Sequence, residues 1–117
     1  GFEGLPLILL QTKGARSGNR FDVPLIPVLE DARIFLFGTN AGSPKQPIWA
    51  LNVLAHPRIV VEYEARIFEA IIEPLSSVDA DARLAQRAQD SEQLQQYLAN
   101  AAPRKVPVFE VCEIKSL

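Results

Sequence analysis

In 117 residues the chain has no methionine, one cysteine (Cys112), one histidine (His56) and one tryptophan (Trp49). Each scarcity excludes something. A lone cysteine makes neither an internal disulfide nor a cysteine metal cluster, and it points to a reducing, intracellular setting. A lone histidine with no second ligand or nucleophile beside it argues against a metal site or a Ser-His-Asp triad; ahead of Pro57 it reads as a helix-end or surface residue. No apolar run approaches ~18 residues, so no membrane span is expected. The net charge is only −2 and no basic stripe is present, which argues against a nucleic-acid surface. Without an initiator methionine, the sequence is expected to lack an N-terminal segment. A cytoplasmic protein follows from this reading, with membrane attachment through that segment as the alternative.

What is present suits one domain over residues 1–117 with one core, since 48% of the residues are hydrophobic. Short apolar runs punctuated by glycine and proline predict a mainly β protein. Leu5 to Thr12 is one strand, ended by the two-glycine turn "KGARSGN". Phe21 to Glu30 is a second, confined to an edge or to bulges by Pro24 and Pro27. Arg33 to Thr39 pairs with it as a hairpin, and "RIVVEYE" and "RIFEAIIEPL" form another that turns near Glu64 and Ala65. "VPVFEVCEI" is the last strand. About six antiparallel strands result, with Leu9, Phe35, Val60 and Phe68 expected in one barrel core and the helix from Val78 over an open side.

Two segments read as helical. "PIWALNVLA" starts at Pro47, where a missing N–H costs nothing, and stops at His56 and Pro57. In "SSVDADARLAQRAQDSEQLQQYLANA" the residues Leu84, Ala88, Leu94, Leu98 and Ala101 recur at helical spacing, Ser76 or Ser77 caps the start, and Asp90 marks a break. The order predicts a small antiparallel barrel with helices packed on it.

No side-chain constellation supplies chemistry by itself, so an enzymatic activity would need a bound cofactor. Cys112 lies in an apolar strand and reads as a small hydrophobe. Two loops could hold such a group. "KGARSGNR" sets Lys13, Arg16 and Arg20 around two glycines, as either an anion nest or an ordinary basic turn. "TNAGSPKQPIWALN" combines glycine and proline, which allow close backbone approach, with Lys45 and Trp49; the indole is a ligand wall or a core anchor.

Taken together, these loops resemble the deazaflavin-dependent nitroreductase family, the flavin/deazaflavin oxidoreductases of actinobacteria. The resemblance rests on Gly14, Arg16, Ser17 and Gly18 with Pro24 and Leu25, and on Gly42, Lys45, Pro47, Trp49, Leu51, Asn52, Ala55 and Pro57. Tyr97, Arg104, Val106 and Pro107 continue it near the end of the chain. It implies a split β-barrel of the FMN-binding-protein type that binds coenzyme F(420), an 8-hydroxy-5-deazaflavin. Hydride would pass from the reduced coenzyme to a small quinone, nitroaromatic or activated enone. The backbone of Asn40, Ala41, Gly42, Ser43, Pro44 and Lys45 would lie against the ring edge, with Trp49 anchoring the helix that frames the pocket. Arg16 and Ser17, in the turn with Gly18, would meet the anionic tail together with Lys45, and Tyr97 would contact substrate or deliver a proton. FMN in the same fold is the alternative cofactor. A non-catalytic carrier of the deazaflavin or a fatty acid is the alternative of a different class.

Overall fold

A computed structural model describes residues 6–117, so Leu5, the expected start of the first strand, lies outside the described residues. The elements are β1 (Ile8–Lys13), β2 (Arg20–Leu25), β3 (Val28–Glu30), β4 (Arg33–Phe37), α1 (Ile48–Ala55), β5 (Arg58–Tyr63), β6 (Arg66–Pro74), α2 (Ser77–Ala88), α3 (Glu92–Ala101) and β7 (Val108–Ser116). The seven strands form one antiparallel sheet in the order β2-β1-β5-β6-β7-β4-β3. Among the described residues no helix is long and apolar enough to cross a membrane.

Seven strands replace the expected six because Phe21 to Glu30 is two strands. The pairing breaks at Ile26 and Pro27, where proline has no N–H to give a ladder. The break has a large consequence, since β2 and β3 are the two opposite edges of the sheet. Three Cα steps from Leu25 to Val28 reach at most roughly 11 Å. Seven flat strands would separate the edges by roughly 29 Å. The sheet must therefore curl until its edges approach, which makes it a split barrel. Pro24 is tolerated because β2 is such an edge.

The inside of the curl is filled by Ile8, Leu10, Leu36, Ile59, Val61, Phe68, Ala70, Ile72 and Phe109, and α1 plugs it with Trp49, Ala50 and Val53. The expected inward set is corrected here. Phe68 is inside, but Leu9 and Val60 are only half-buried, and their neighbours Ile8, Leu10, Ile59 and Val61 carry the core. One residue of register exchanges the faces of a strand, and the unbroken apolar run "LPLILL" contains no alternation to reveal which face is inward. Phe35 is buried in a second cluster with Val106 and Val108, under Ala80 and Leu84 of α2 and Leu94 and Ala101 of α3. The helices therefore cover the outer face of β4 and β7, and these two strands are apolar on both sides.

Local signals act where they were read. Ser76 Oγ accepts from the Asp79 N–H at 3.2 Å to cap α2. The helical insert breaks after Ala88, and Ser91 Oγ accepts from the Leu94 N–H at 3.1 Å to start α3. Glu64 and Ala65 form the β5–β6 turn, both left-handed at φ 50° and 61°. Asp31 and Ala32 close the β3–β4 hairpin likewise, at 55° and 59°. Paired left-handed residues match the twist of a two-residue hairpin.

Candidate functional site

Where the barrel stays split, a groove of about 900 Å³ opens between β2 and the segment leading into α1. One wall is Phe21, Val23 and Leu25 of β2; the other is Thr39, Asn40, Ala41, Ser43 and Lys45, continuing to Ile48, Trp49 and Asn52 of α1. Trp49 is a core residue that also borders the groove. It is 9% exposed, tilts against Phe109 with ring centroids 5.4 Å apart, and still lines the groove.

The loop wall has an unusual backbone. Asn40, Ala41 and Gly42 are left-handed in succession, at φ 47°, 52° and 83°. For a residue with a Cβ this costs roughly 1–2 kcal/mol, so the turn persists only if its surroundings hold it. Gly42 is favoured by its angle and by tight space, because a Cβ there would sit 3.1 Å from Asn100 Cβ and 3.2 Å from Tyr97 Cα. Asn40 Nδ2 donates to the Lys45 carbonyl at 3.0 Å, and Ser43 Oγ accepts from the Lys45 N–H at 3.1 Å.

Arg104 fastens this loop from behind. Its Nε and Nη2 donate to the Ser43 carbonyl at 3.0 and 2.9 Å, and Nη2 also to Thr39 O at 2.9 Å. Nη1 donates to Gly38 O at 3.1 Å and to Gln46 Oε1 at 3.0 Å. The next residues continue the junction. Gln46 Nε2 donates to Lys105 O at 3.1 Å, and Gly38 N–H to Pro107 O at 2.8 Å. Sequence reasoning placed Arg104 only within the resemblance and gave it no role, because its partners lie 58 to 66 positions away.

The expected tail-binding turn is placed beside the groove rather than in its lining. Gly14 N–H donates to Asn19 O at 2.7 Å, and Ser17 Oγ accepts from the Asn19 N–H at 3.1 Å, so Ser17 serves the turn itself. Arg16 is exposed on that turn, and Gly18 lines a separate depression of about 290 Å³ with Lys13, Arg20 and Arg58. What links turn to groove is Asn52, whose Oδ1 accepts from the Ala15 N–H at 3.0 Å. A polar residue on the buried side of an otherwise apolar helix, "IWALNVLA", was the readable signal for it. The β2 wall had none, since Phe21, Val23 and Leu25 look like any strand.

Of the remaining expected site residues, Pro44 is exposed and Gly42 buried, and neither lines the groove. Tyr97 is half-buried on α3, its backbone packed behind Gly42, and it too is outside the lining. His56 ends α1, its N–H donating to Asn52 O at 2.8 Å. Burial pushes the Cys112 thiol up to about 11, which keeps it protonated at neutral pH.

The fold is shared with proteins of known structure. About 91% of the chain superposes on an F(420)-H2 dependent reductase (FDR-A), at 27% identity, a TM-score of 0.73 and 93% of that chain covered. A structure described as a domain-swapped dimer matches with the same identity, TM-score and share of this chain, over 79% of its own length. HutZ, the heme storage protein of Vibrio cholerae, shares the fold at 13% identity and a TM-score of 0.61, over 97% of this chain and 84% of its own. Residues 1–113 match the family described as F(420)H(2)-dependent quinone reductase. The chain belongs to that family: it is an oxidoreductase of the mainly β, split-barrel type, and its coenzyme is coenzyme F(420).

Proposed function

We propose that the groove between β2 and the Gly38–Pro47 loop holds the deazaflavin ring, and that the chain uses it to reduce a quinone. The observation that carries this reading is the lining. Asn40, Ala41, Ser43, Lys45 and Trp49 converge on one groove from a single loop and helix. The residues fit the group: about 900 Å³ suits a flat ring system with room for a second small molecule. The walls are apolar where a ring would rest, and Lys45 supplies a cation at an exposed position for the tail.

When bound and reduced, the coenzyme supplies a hydride. The chain's own tasks are to bind, orient and exclude water. Val23, Leu25 and Trp49 would give the ring apolar surface to rest on and keep water from it. The left-handed turn would let the backbone of Asn40 and Ala41 come close to a bound ring. Phe21 and Ile48 stand on opposite walls with much of their surface exposed, where they would sandwich a flat acceptor. The groove is open to solvent, which can deliver the proton the reduced acceptor takes up. Arg16 acts at the tail from the turn that Asn52 holds, and Ser17 and Gly18 act by shaping that turn. Tyr97 acts through Gly42, by supporting the turn.

Titration of the protein with coenzyme F(420) and, separately, FMN, followed by Trp49 emission, tests the binding. Mixing with reduced coenzyme and a panel of quinones, nitroaromatics and enones, followed by coenzyme absorbance, tests the reaction. Tighter binding of the deazaflavin and fastest turnover with quinones are expected. Binding without oxidation by any acceptor would leave a carrier in place of a reductase.

A further inference from the structure

We propose that Arg104 sets the affinity for the coenzyme without touching it. It would do so by locking the Gly38–Gln46 loop in its groove-facing shape and by placing an unneutralised charge behind that wall. The inference rests on the reading of the groove given above.

A guanidinium has five N–H protons in a planar fork. In Arg104 all five are used, on the carbonyls of Gly38, Thr39 and Ser43 and the side-chain oxygen of Gln46. These acceptors enclose the segment that contains the left-handed Asn40 and Ala41. Three of the residues held, Thr39, Ser43 and Gln46, line the groove themselves. A lysine has three donors from one point and cannot span such a set. Every acceptor is neutral, so no hydrogen-bond partner cancels the positive charge. In a half-buried position that charge is screened less than at the surface, and it favours an anionic occupant in front of the wall. Arg104 is thus a positioning residue.

The test compares Arg104→Lys, Arg104→Met and the milder Gln46→Ala with Ser76→Ala, a variant that removes the α2 cap and lowers stability away from the groove loop. For each, the coenzyme Kd is measured at low and high salt, together with the acceptor KM and amide exchange at Gly42 and Ser43. Arg104→Lys is expected to raise the coenzyme Kd by about 10- to 100-fold, the scale of a misplaced binding group, and to leave the acceptor KM within about twofold. Arg104→Met should bind still more weakly and lose part of the salt dependence. Gln46→Ala should move the same way by less. Exchange at Gly42 and Ser43 should rise in all three while β5 and β6 stay protected. A Kd no more changed than in Ser76→Ala, or unchanged exchange at the loop, would overturn the proposal. Should the Arg104 variants fail to fold, Gln46→Ala decides by the same measurements. Failure of the wild type to bind coenzyme would instead remove the reading of the groove, and the exchange data would still judge the clamp.

Discussion

The backbone N–H of Ala15 donates to Oδ1 of Asn52 at 3.0 Å, and this bond joins the β1–β2 turn to α1. Asn52 is 5% exposed, so the bond is sheltered from water at one end. Asn52→Ala should cost ~1–3 kcal/mol, the range for losing a sheltered hydrogen-bond partner. Urea unfolding gives the loss, and faster amide exchange at Ala15 shows the freed turn. Unaltered exchange there would mean that the turn holds its position alone.

Trp49 fills the barrel between Phe109 and the groove. Trp49→Ala should destabilise by ~3–5 kcal/mol, the range for truncating a large core aromatic. Trp49→Phe keeps a ring against Phe109 and should lose less than half as much. Denaturation followed by circular dichroism orders the two variants, and equal losses would show that the packing with Phe109 contributes nothing.

Lys45 lines the groove and Arg16 stands on the neighbouring turn, both exposed. A charge-assisted hydrogen bond is worth ~1.5–3 kcal/mol, so Lys45→Ala should weaken coenzyme binding roughly 10- to 150-fold. Arg16→Ala should act in the same direction but less, since its turn is outside the lining. Added salt should weaken the wild type more than either variant. Folding stability should move by no more than about 0.5 kcal/mol in each. Cofactor titrations at two salt concentrations make the comparison.

Glu110 on β7 receives two hydrogen bonds from Arg33 on β4, at 2.7 and 2.9 Å. Those bonds hold its carboxyl below the ordinary 4.5, although burial works in the other direction. Glu113 is lowered in the same way by Arg66, and Asp22 by Arg20. A lowered carboxylate stabilises the fold above its unfolded value, and the contribution is lost as pH falls through the folded one. Stability should therefore decline below about pH 4.5, and Glu110→Gln should decline less steeply than the wild type. The guanidinium is well exposed, so salt should shrink the difference between them. Urea midpoints across the acid range supply the slopes, and parallel slopes would contradict the role given to this pair.

Features closed within a few residues were legible in the chain itself. Ser76 reaches only Asp79, His56 only Asn52, and the Glu64–Ala65 turn joins strands that follow one another. Their geometry depends on neighbours in sequence, so the residue types suffice to place them. The groove loop was legible for a similar reason: glycine, prolines, Lys45 and Trp49 are crowded into one segment.

Tertiary structure decided what distant segments do to one another. Nothing within Phe21 to Glu30 announces that its halves lie on opposite edges of a sheet, because that follows from how seven strands curl. Ile8 rather than Leu9 faces inward because β1 must match β5 and α1, and an apolar run permits either face. Arg16 and Lys45 stand on two separate loops and were both expected at the anionic tail, yet only Lys45 lines the groove, since the β1–β2 turn is held from Asn52. Arg104 acquires its part only when the approach to β7 is laid against the loop after β4. Its five donors need acceptors fixed in space, and a linear chain does not state where those will be.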